Sequence, residues 1–429
     1  MPSPSSSAPV LPPLRTIRDG LRRTTEALAV ELAAARPGSA TPAWSALEWR
    51  LAAAAATAHG VSPLLSTCST WQNAEWQRFL ASQREHVAQR HQRIASLLQR
   101  IDAGAAAAGV AVVALKGSAL HALGLYAAGE RPMADIDLLV REHDAEAIVG
   151  LLKDLGYVES FAQWKHRVFK PAAGQPVAGL GDHRDTPVNI ELHTHIQERL
   201  PISTVEITGR IFPREPRPGI NAYPSNGALM SHLLLHAAGN ICGRSLRLLH
   251  LNDIARLSAR MQASDWNVLW CEHAVDPPWW ALPPLLLVAR YYRQAIPDAV
   301  LDRLRTDCPV LLRTCSRHQT LTQVSLSGLL LQALPGIEWS RSMREAGRYI
   351  RHRLRPTAEA NQERADMLRT QLWLQGQDWV ARPQGRRILT WLTRPVPRMD
   401  MLYAVRAALE RPAPAPEQTD FSPYPKPAP

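Results

Sequence analysis

The hexapeptide "DIDLLV", residues 135–140, places two carboxylates two positions apart in a run otherwise suited to burial. Alternate side chains of a β-strand share a face, so Asp135 and Asp137 point one way while Ile136, Leu138 and Val140 point the other. Carboxylates that close repel one another strongly unless something positive stands between them. A divalent cation relieves the repulsion, and hard Mg²⁺ takes oxygen ligands from one or two carboxylates together with phosphates. The plainer reading is an exposed edge strand with solvated aspartates.

Upstream, the β-branched run "VAVVAL" ends in Lys116-Gly117-Ser118. Gly117 would let the backbone approach a phosphate closely, and the start of the following helix would offer free N–H groups and its positive dipole end. Ser118 could add a hydroxyl and Lys116 a charge. The competing reading is a simple strand-to-helix turn with Ser118 as the cap. This is not a Walker loop, because the spaced glycine and the terminal Gly-Lys-Ser/Thr order are missing. A third carboxylate would complete a two-metal site. In "VNIELHTHI", Val188, Ile190, Leu192 and Ile196 line one face, and Asn189, Glu191, His193 and His195 line the other, which makes Glu191 the best candidate. Asp182 and Asp185 are rivals, in a "GDHRDTP" stretch that reads as a turn.

The elements that must position these residues form a mixed pattern. Residues 1–13 read as a disordered leader and 14–108 as a helical region whose apolar residues recur at spacings of three and four up to Gly109. Residues 109–202 read as helix, strand, short helix, strand, helix, strand, strand, with "HDAEAIVGLLKDLGY" an amphipathic helix between an Asp144 cap and a Gly156 stop. "WKHRVFK" and "VNIELHTHI" alternate as strands. Residues 203–410 are mostly helical again, and 411–429 form a Pro-rich disordered tail. The fold class expected is α+β: a small mixed sheet flanked by N-terminal and C-terminal helical regions.

Composition narrows the class. The 429 residues carry a formal charge of +11, nearly all of the excess arginine, which reads first as a solvated surface and second as a means of steering a polyanion. No apolar run reaches the ~18–20 residues that span a bilayer, and the N-terminus does not read as a signal peptide. Five cysteines without a CxxC pair suit a reducing cytoplasm and give no zinc framework. His232 and His236 lie four apart on one helical face, with Asp253 downstream, but the Glu of HExxH is absent; they read as core histidines rather than metal ligands. Arg247 and Asp253 read either as a helix-orienting salt bridge or as substrate contacts. The arginine-rich C-terminal stretches read as outer faces of amphipathic helices, and Trp279 and Trp280 as a packed loop corner.

The combination "LKGSALHALGLY…GERPMADIDLLV" resembles the signature of nucleotidyltransferases of the DNA polymerase β superfamily. It is most similar to a poorly characterised bacterial family with a Leu-Lys-Gly, Leu-Tyr, Arg-Pro, Asp-x-Asp pattern, over roughly residues 45–290. The resemblance implies Gly117 and Ser118 at a phosphate-binding turn, Asp135 and Asp137 as the metal-binding pair, Glu191 as the third carboxylate, and Arg131 in contact with phosphate or substrate. The sequence departs from the pattern in having Glu rather than the commoner Asp at the third position, and in a long glycine-rich loop before it.

The expected activity is Mg²⁺-dependent transfer of a nucleoside monophosphate from an NTP, with ATP expected, to a small-molecule, peptide or protein acceptor. Asp135, Asp137 and Glu191 would hold two Mg²⁺ ions, and Lys116, Gly117, Ser118 and Arg131 the nucleotide. The alternatives are a catalytically silent adaptor on the same fold, which an intact carboxylate pair argues against, and a nucleic-acid (tRNA) modifying transferase, which rests only on the basic balance.

Overall fold

The computed structural model describes residues 12–33, 40–173, 177, 179–270, 277–325, 334, 336–356, 358, 404, 405 and 407–409. Most of the leader, the tail and the arginine-rich stretch after residue 358 lie outside the described residues, as does Cys271.

Four helices come first: α1 (Leu14–Ala33), α2 (Ala46–Ala58), α3 (Ser62–Cys68) and α4 (Ala74–Ala107). Ser45 and Glu48 form a reciprocal capping box at the start of α2, and the Asn73 side chain caps α4 by accepting the Trp76 N–H. Trp44 stacks edge-on against Trp49 and Trp71 in this region, with ring centroids 4.9 and 5.0 Å apart. Gly109 ends the chain's run out of α4 at φ +71°, a conformation glycine adopts without strain.

A six-stranded sheet follows. Strands β1 (Ala111–Ala114), β2 (Asp135–Val140), β3 (Tyr157–Ala162), β4 (Arg167–Pro171), β5 (Asn189–His193) and β8 (Gly219–Asn221) lie in the order β3-β4-β5-β2-β1-β8. Strands β6 (Gln197–Arg199) and β7 (Thr204–Glu206) pair separately as a hairpin. The sheet is mixed: β2 runs parallel to β5 and antiparallel to β1, while β1 runs parallel to β8. Short helix α5 (Gly117–Ala122) separates β1 from β2, α6 (Ala145–Asp154) separates β2 from β3, and α7 (Thr208–Ile211) precedes β8. The α+β expectation is met. The sequence pattern did not separate β3 from its neighbours, nor reveal β8, which joins the sheet from beyond residue 202.

The two sheet faces have different jobs. Ile136, Leu138 and Val140 pack with Ile94, Leu97 and Ile101 of α4 and Ile148 and Leu152 of α6. Each such side chain, fully withdrawn from water, contributes about 1.5–3 kcal/mol. The opposite face carries the acidic residues, and its apolar members, Val113 and Leu139, join a larger core with helices α8 (Asn226–Gly243) and α9 (Leu248–Ser258). Helix α4 serves both cores, Leu80 and Trp76 in the larger and Ile94 to Ala105 in the smaller. Among the described residues, α10 (Ala263–Asn267), α11 (Leu282–Tyr291), α12 (Asp298–Asp307), α13 (Val310–Arg317), α14 (Leu321–Ser325) and α15 (Met343–Leu354) follow in the C-terminal part. Trp279 and Trp280 are buried in a helical turn ahead of α11, as a packed corner requires.

His59, just past α2, ties the first helical region to the last. Its Nδ1 accepts the Leu248 N–H at 3.1 Å and its carbonyl the Leu249 N–H at 3.2 Å, satisfying the open start of α9. Burial, and then the charge of Arg247, pull the His59 imidazole down to about 3 from an ordinary 6.5. Between those values the unfolded chain binds a proton that the folded chain refuses, so stability falls as pH drops below 6.5. His59 contributes on the order of 1 kcal/mol per pH unit to that fall. His59→Asn keeps an acceptor for Leu248 and removes the titration. Thermal melts at about pH 7.5 and about pH 5 should show a smaller acid loss in the variant than in the wild type.

Candidate functional site

The register of the two parallel strands builds the site. Asp137 of β2 lies directly opposite Glu191 of β5, and Asp135 lies opposite Asn189. Residues that face each other across adjacent strands project to the same side, so both carboxylates of β2 share a face with Glu191. Arg90 of α4 sets that register. Its guanidinium is buried and donates to the carbonyls of Met133 (2.9 Å) and Ala134 (2.9 Å) just before β2, and of Pro187 (3.2 Å) and Thr186 just before β5. Nothing in the sequence singled out Arg90. On an amphipathic helix an arginine ordinarily reads as solvated.

The crowded carboxylates are held apart by two bases. Lys116 Nζ donates to Asp137 Oδ1 at 2.7 Å, and His193 Nε2 lies 3.1 Å from the same oxygen. Burial alone would push the Asp137 carboxyl up, but Lys116 and His193 more than reverse it and hold it well below the carboxylate range. Burial pulls His193 down, yet its bonds to Asp137 and Glu191 leave it above the ordinary imidazole value. Asp135 has no such partner. It is partly exposed, and burial followed by the charges of Asp137 and Glu191 pushes it up to about 7, against a smaller opposing pull from Lys116 and Arg247.

The turn bearing Lys116 has an unusual backbone. Lys116 adopts φ +44°, in the left-handed region that non-glycine residues rarely occupy. Its N–H donates to the Tyr223 hydroxyl at 3.3 Å, and that hydroxyl is hydrogen-bonded to His232 Nδ1 at 2.7 Å. His232 is thereby a buried support for the turn. His236 contacts Asn240 and lies 3.9 Å from Glu198, and neither histidine joins a third metal-ligating group among the described residues. Helix α5 starts at Gly117, so Ser118 lies inside it and makes no cap; it is buried, its N–H donating to the Leu115 carbonyl at 3.2 Å.

Lys116, Asp135, Asp137 and Glu191 are therefore brought together, and Arg131 is turned to other work. Arg131 is buried in a bidentate pair with Asp253 of α9, Nε to Oδ1 at 2.9 Å and Nη2 to Oδ2 at 2.7 Å. The Tyr126 hydroxyl donates to Asp253 Oδ1 at 2.7 Å and accepts from Asn252 Nδ2 at 2.8 Å. Asp253 does form a salt bridge, but its partner is Arg131 and not Arg247. Arg247, from the start of α9, is exposed and close enough to Asp135 to favour its ionised form. The rivals to Glu191 lie in the preceding loop: the Asp182 N–H is bound by Gln83 Oε1 at 2.9 Å, and Asp185 is exposed beside His183 and Arg184.

His166, in the turn between β3 and β4, also reaches this face, and sequence reasoning missed it. Its Nδ1 lies 3.6 Å from Glu191 Oε2, and burial, partly opposed by Glu191, pulls its imidazole down to about 4. A carboxylate pair with a third acid opposite offers hard oxygen ligands, the donor set that suits Mg²⁺ with nucleotide phosphates.

The Arg131–Asp253 pair gives Gly117 a steric reason to be glycine. A Cβ there would meet Arg131 Nη1 at 2.3 Å and Met133 Sδ at 2.9 Å. Gly117→Ala should cost about 1–3 kcal/mol in denaturant melts, as overpacking does. In an Arg131→Ala, Asp253→Ala background most of that cost should vanish. An undiminished cost would mean that the glycine is required for something else.

No curated protein and no solved structure matches the chain. A sequence profile described as uncharacterised nucleotidyltransferase matches residues 45–277, from the capping box of α2 through the sheet and α9. With more than half of its length matched, and with the carboxylates and the Lys-Gly-Ser turn inside the matched span, the chain belongs to this family of nucleotidyltransferases.

Proposed function

We propose that the protein is a Mg²⁺-dependent nucleotidyltransferase of the DNA polymerase β type. It transfers a nucleoside monophosphate from an NTP, ATP in the first instance, to a small-molecule, peptide or protein acceptor. The observation that carries this reading is the register of β2 and β5, which sets Glu191 opposite Asp137 with Asp135 on the same face. Magnesium bound by Asp135, Asp137 and Glu191 would neutralise charge on the reacting phosphate oxygens.

The chain's own residues supply the rest. Lys116 stands beside the carboxylates and leads into the Gly117-Ser118 turn, and the triphosphate would lie along this corner if its oxygens share the cation. An acceptor oxygen or nitrogen attacks the α-phosphorus in line, the bond to the bridging β-oxygen breaks, and pyrophosphate leaves with that bond's electrons. Glu191 is placed to take the acceptor's proton. Arg131 acts at one remove, by fixing the turn through Asp253. Arg247, exposed and close enough to Asp135 to act on its charge, is a cation that can meet a phosphate. The free thiols of Cys68, Cys242, Cys308 and Cys315 suit a reducing compartment such as the cytoplasm, and no described helix is long and apolar enough to cross a membrane.

Incubating the purified chain with α-labelled nucleotides and cell extract should label an acceptor only when Mg²⁺ is present. Asp135→Asn with Asp137→Asn should cut the label by about 10²–10³-fold, the scale on which electrostatic groups act in such sites. Label that survives the double variant would sink the mechanism. The same carboxylates should register on stability. The Asp135 pKa of about 7 lies above its ordinary 3.8, so the folded state holds the extra proton and stability falls as pH rises through that window. Above it, Asp135→Asn should raise the melting temperature of the metal-free protein by ~2–4 °C and remove the further rise given by Mg²⁺.

A further inference from the structure

The turn between β3 and β4 folds back so that the Gln163 N–H meets the His166 carbonyl at 2.8 Å, and this aims the His166 ring at the end of β5. Its Nδ1 is buried and has no hydrogen-bond partner. A buried polar atom left unpaired needs a reason. Glu191 Oε2 lies 3.6 Å from it, and His193 Nε2 lies 3.7 Å from that same oxygen. One ligand atom from each of the three residues falls within 4.8 Å of the others.

Those separations fit an ion better than they fit hydrogen bonds. Zinc bound at about 2.0–2.2 Å in a tetrahedron sets neighbouring ligand atoms about 3.3–3.6 Å apart. Glu191 Oε2 already stands at nearly that distance from both imidazoles, so two of the three edges are close to their ligated length, and His193 Nε2 would exchange its contact with Asp137 Oδ1 at 3.1 Å for the ion. The donors are two imidazole nitrogens and one carboxylate oxygen, a set that prefers borderline divalent metals, whereas Mg²⁺ prefers oxygen alone. The His166 and His193 side chains are 13% and 9% exposed, enough cover to shield a site from competing water.

We propose that His166, Glu191 and His193 form a second cation site, for a borderline divalent ion of the zinc class, beside the oxygen site of Asp135 and Asp137. Three protein donors leave a fourth position open, the arrangement of a catalytic rather than a structural zinc site. Glu191 is then shared between two unlike ions, and its partner histidines make the site selective. The role in transfer rests on the function proposed above; the binding does not.

The test uses full-length, tag-free protein stripped with chelator and held free of nucleotide, titrated with Co²⁺ and followed by its visible absorption. The wild type should bind one Co²⁺ per chain with a strong four- or five-coordinate spectrum, lose it to Zn²⁺ and keep it in excess Mg²⁺. His166→Ala and His193→Ala should each weaken binding by at least about tenfold. The exposed control Glu142→Gln, outside the cluster, should leave both affinity and spectrum unchanged. If His166→Ala melts early in chelator, His166→Gln, of similar volume, replaces it. Absence of stoichiometric Co²⁺ binding, an unchanged affinity in the His166 variants, or displacement by Mg²⁺ would overturn the proposal. Transfer assayed in Mg²⁺ alone keeps the two readings apart. Transfer without Co²⁺ binding removes only this site, and His166-dependent Co²⁺ binding without transfer upholds the site and removes only the transferase reading.

Discussion

Three carboxylates on one face of a sheet are an electrostatic liability, and much of this fold answers it. Asp135, Asp137 and Glu191 sit on neighbouring strands in register, where like charges cost the folded state unless each is matched. Lys116 and His193 match Asp137, and the contact is close enough to keep that carboxyl ionised despite burial. Bringing Lys116 to that place requires its left-handed backbone. The Tyr223–His232 pair beneath it holds the strained amide, at the cost of a buried histidine. The chemistry that the acids permit and the strain of the turn are thus parts of one arrangement.

Position is the other half of that arrangement. A register slip of one residue would send Asp137 to the apolar face and Leu138 into the cleft. The match of Asp137 with Glu191 is secured at the strand entries, where Arg90 gathers four carbonyls from two segments about fifty residues apart in sequence. Because α4 also packs against the sheet through Ile94, Leu97 and Ile101, the arginine is fixed by the same helix face that forms the core. On the far side of the site, the Arg131–Asp253 pair locks the loop ahead of β2 to α9, with Gly117 as the floor on which the guanidinium rests.

What the sequence revealed and what it hid follow from the range of the interactions. Strand β2 was legible because alternation is local: six residues declare both of their faces. The ends of α4 and α6 were legible because Gly109 and Gly156 take positive φ, at +71° and +86°. Glu191 could be placed on the polar face of its strand, but its pairing with Asp137 is a contact between distant segments. Strand β8 has three residues, too few for a pattern, and exists because β1 offers it an edge. His166 was hidden in a turn, and Arg90 in a helix rich in arginine and glutamine. The salt bridge of Arg131 competes with the phosphate contact that its Arg-Pro motif suggested, and only the position of Asp253, 122 residues on, decides which partner it meets in this structure.

The charge balance of the cluster shows how three neighbouring acids can be accommodated in one fold. Three acids face Lys116 and a His193 drawn toward its charged form, which leaves an excess of about one negative charge when all three are ionised. Asp135 absorbs that excess by keeping a proton up to about pH 7, while Asp137, tied to Lys116, does not. The proton therefore resides on the carboxyl that is partly exposed and has no direct ionic partner, beside Arg247 at the rim. On the function proposed above, a divalent ion entering there would exchange with that proton and need not first break the Lys116–Asp137 pair. Buried pairing at Asp137 and a labile proton at Asp135 divide between two neighbouring aspartates what one could not do alone: hold the strand in its fold, and keep a place open for charge.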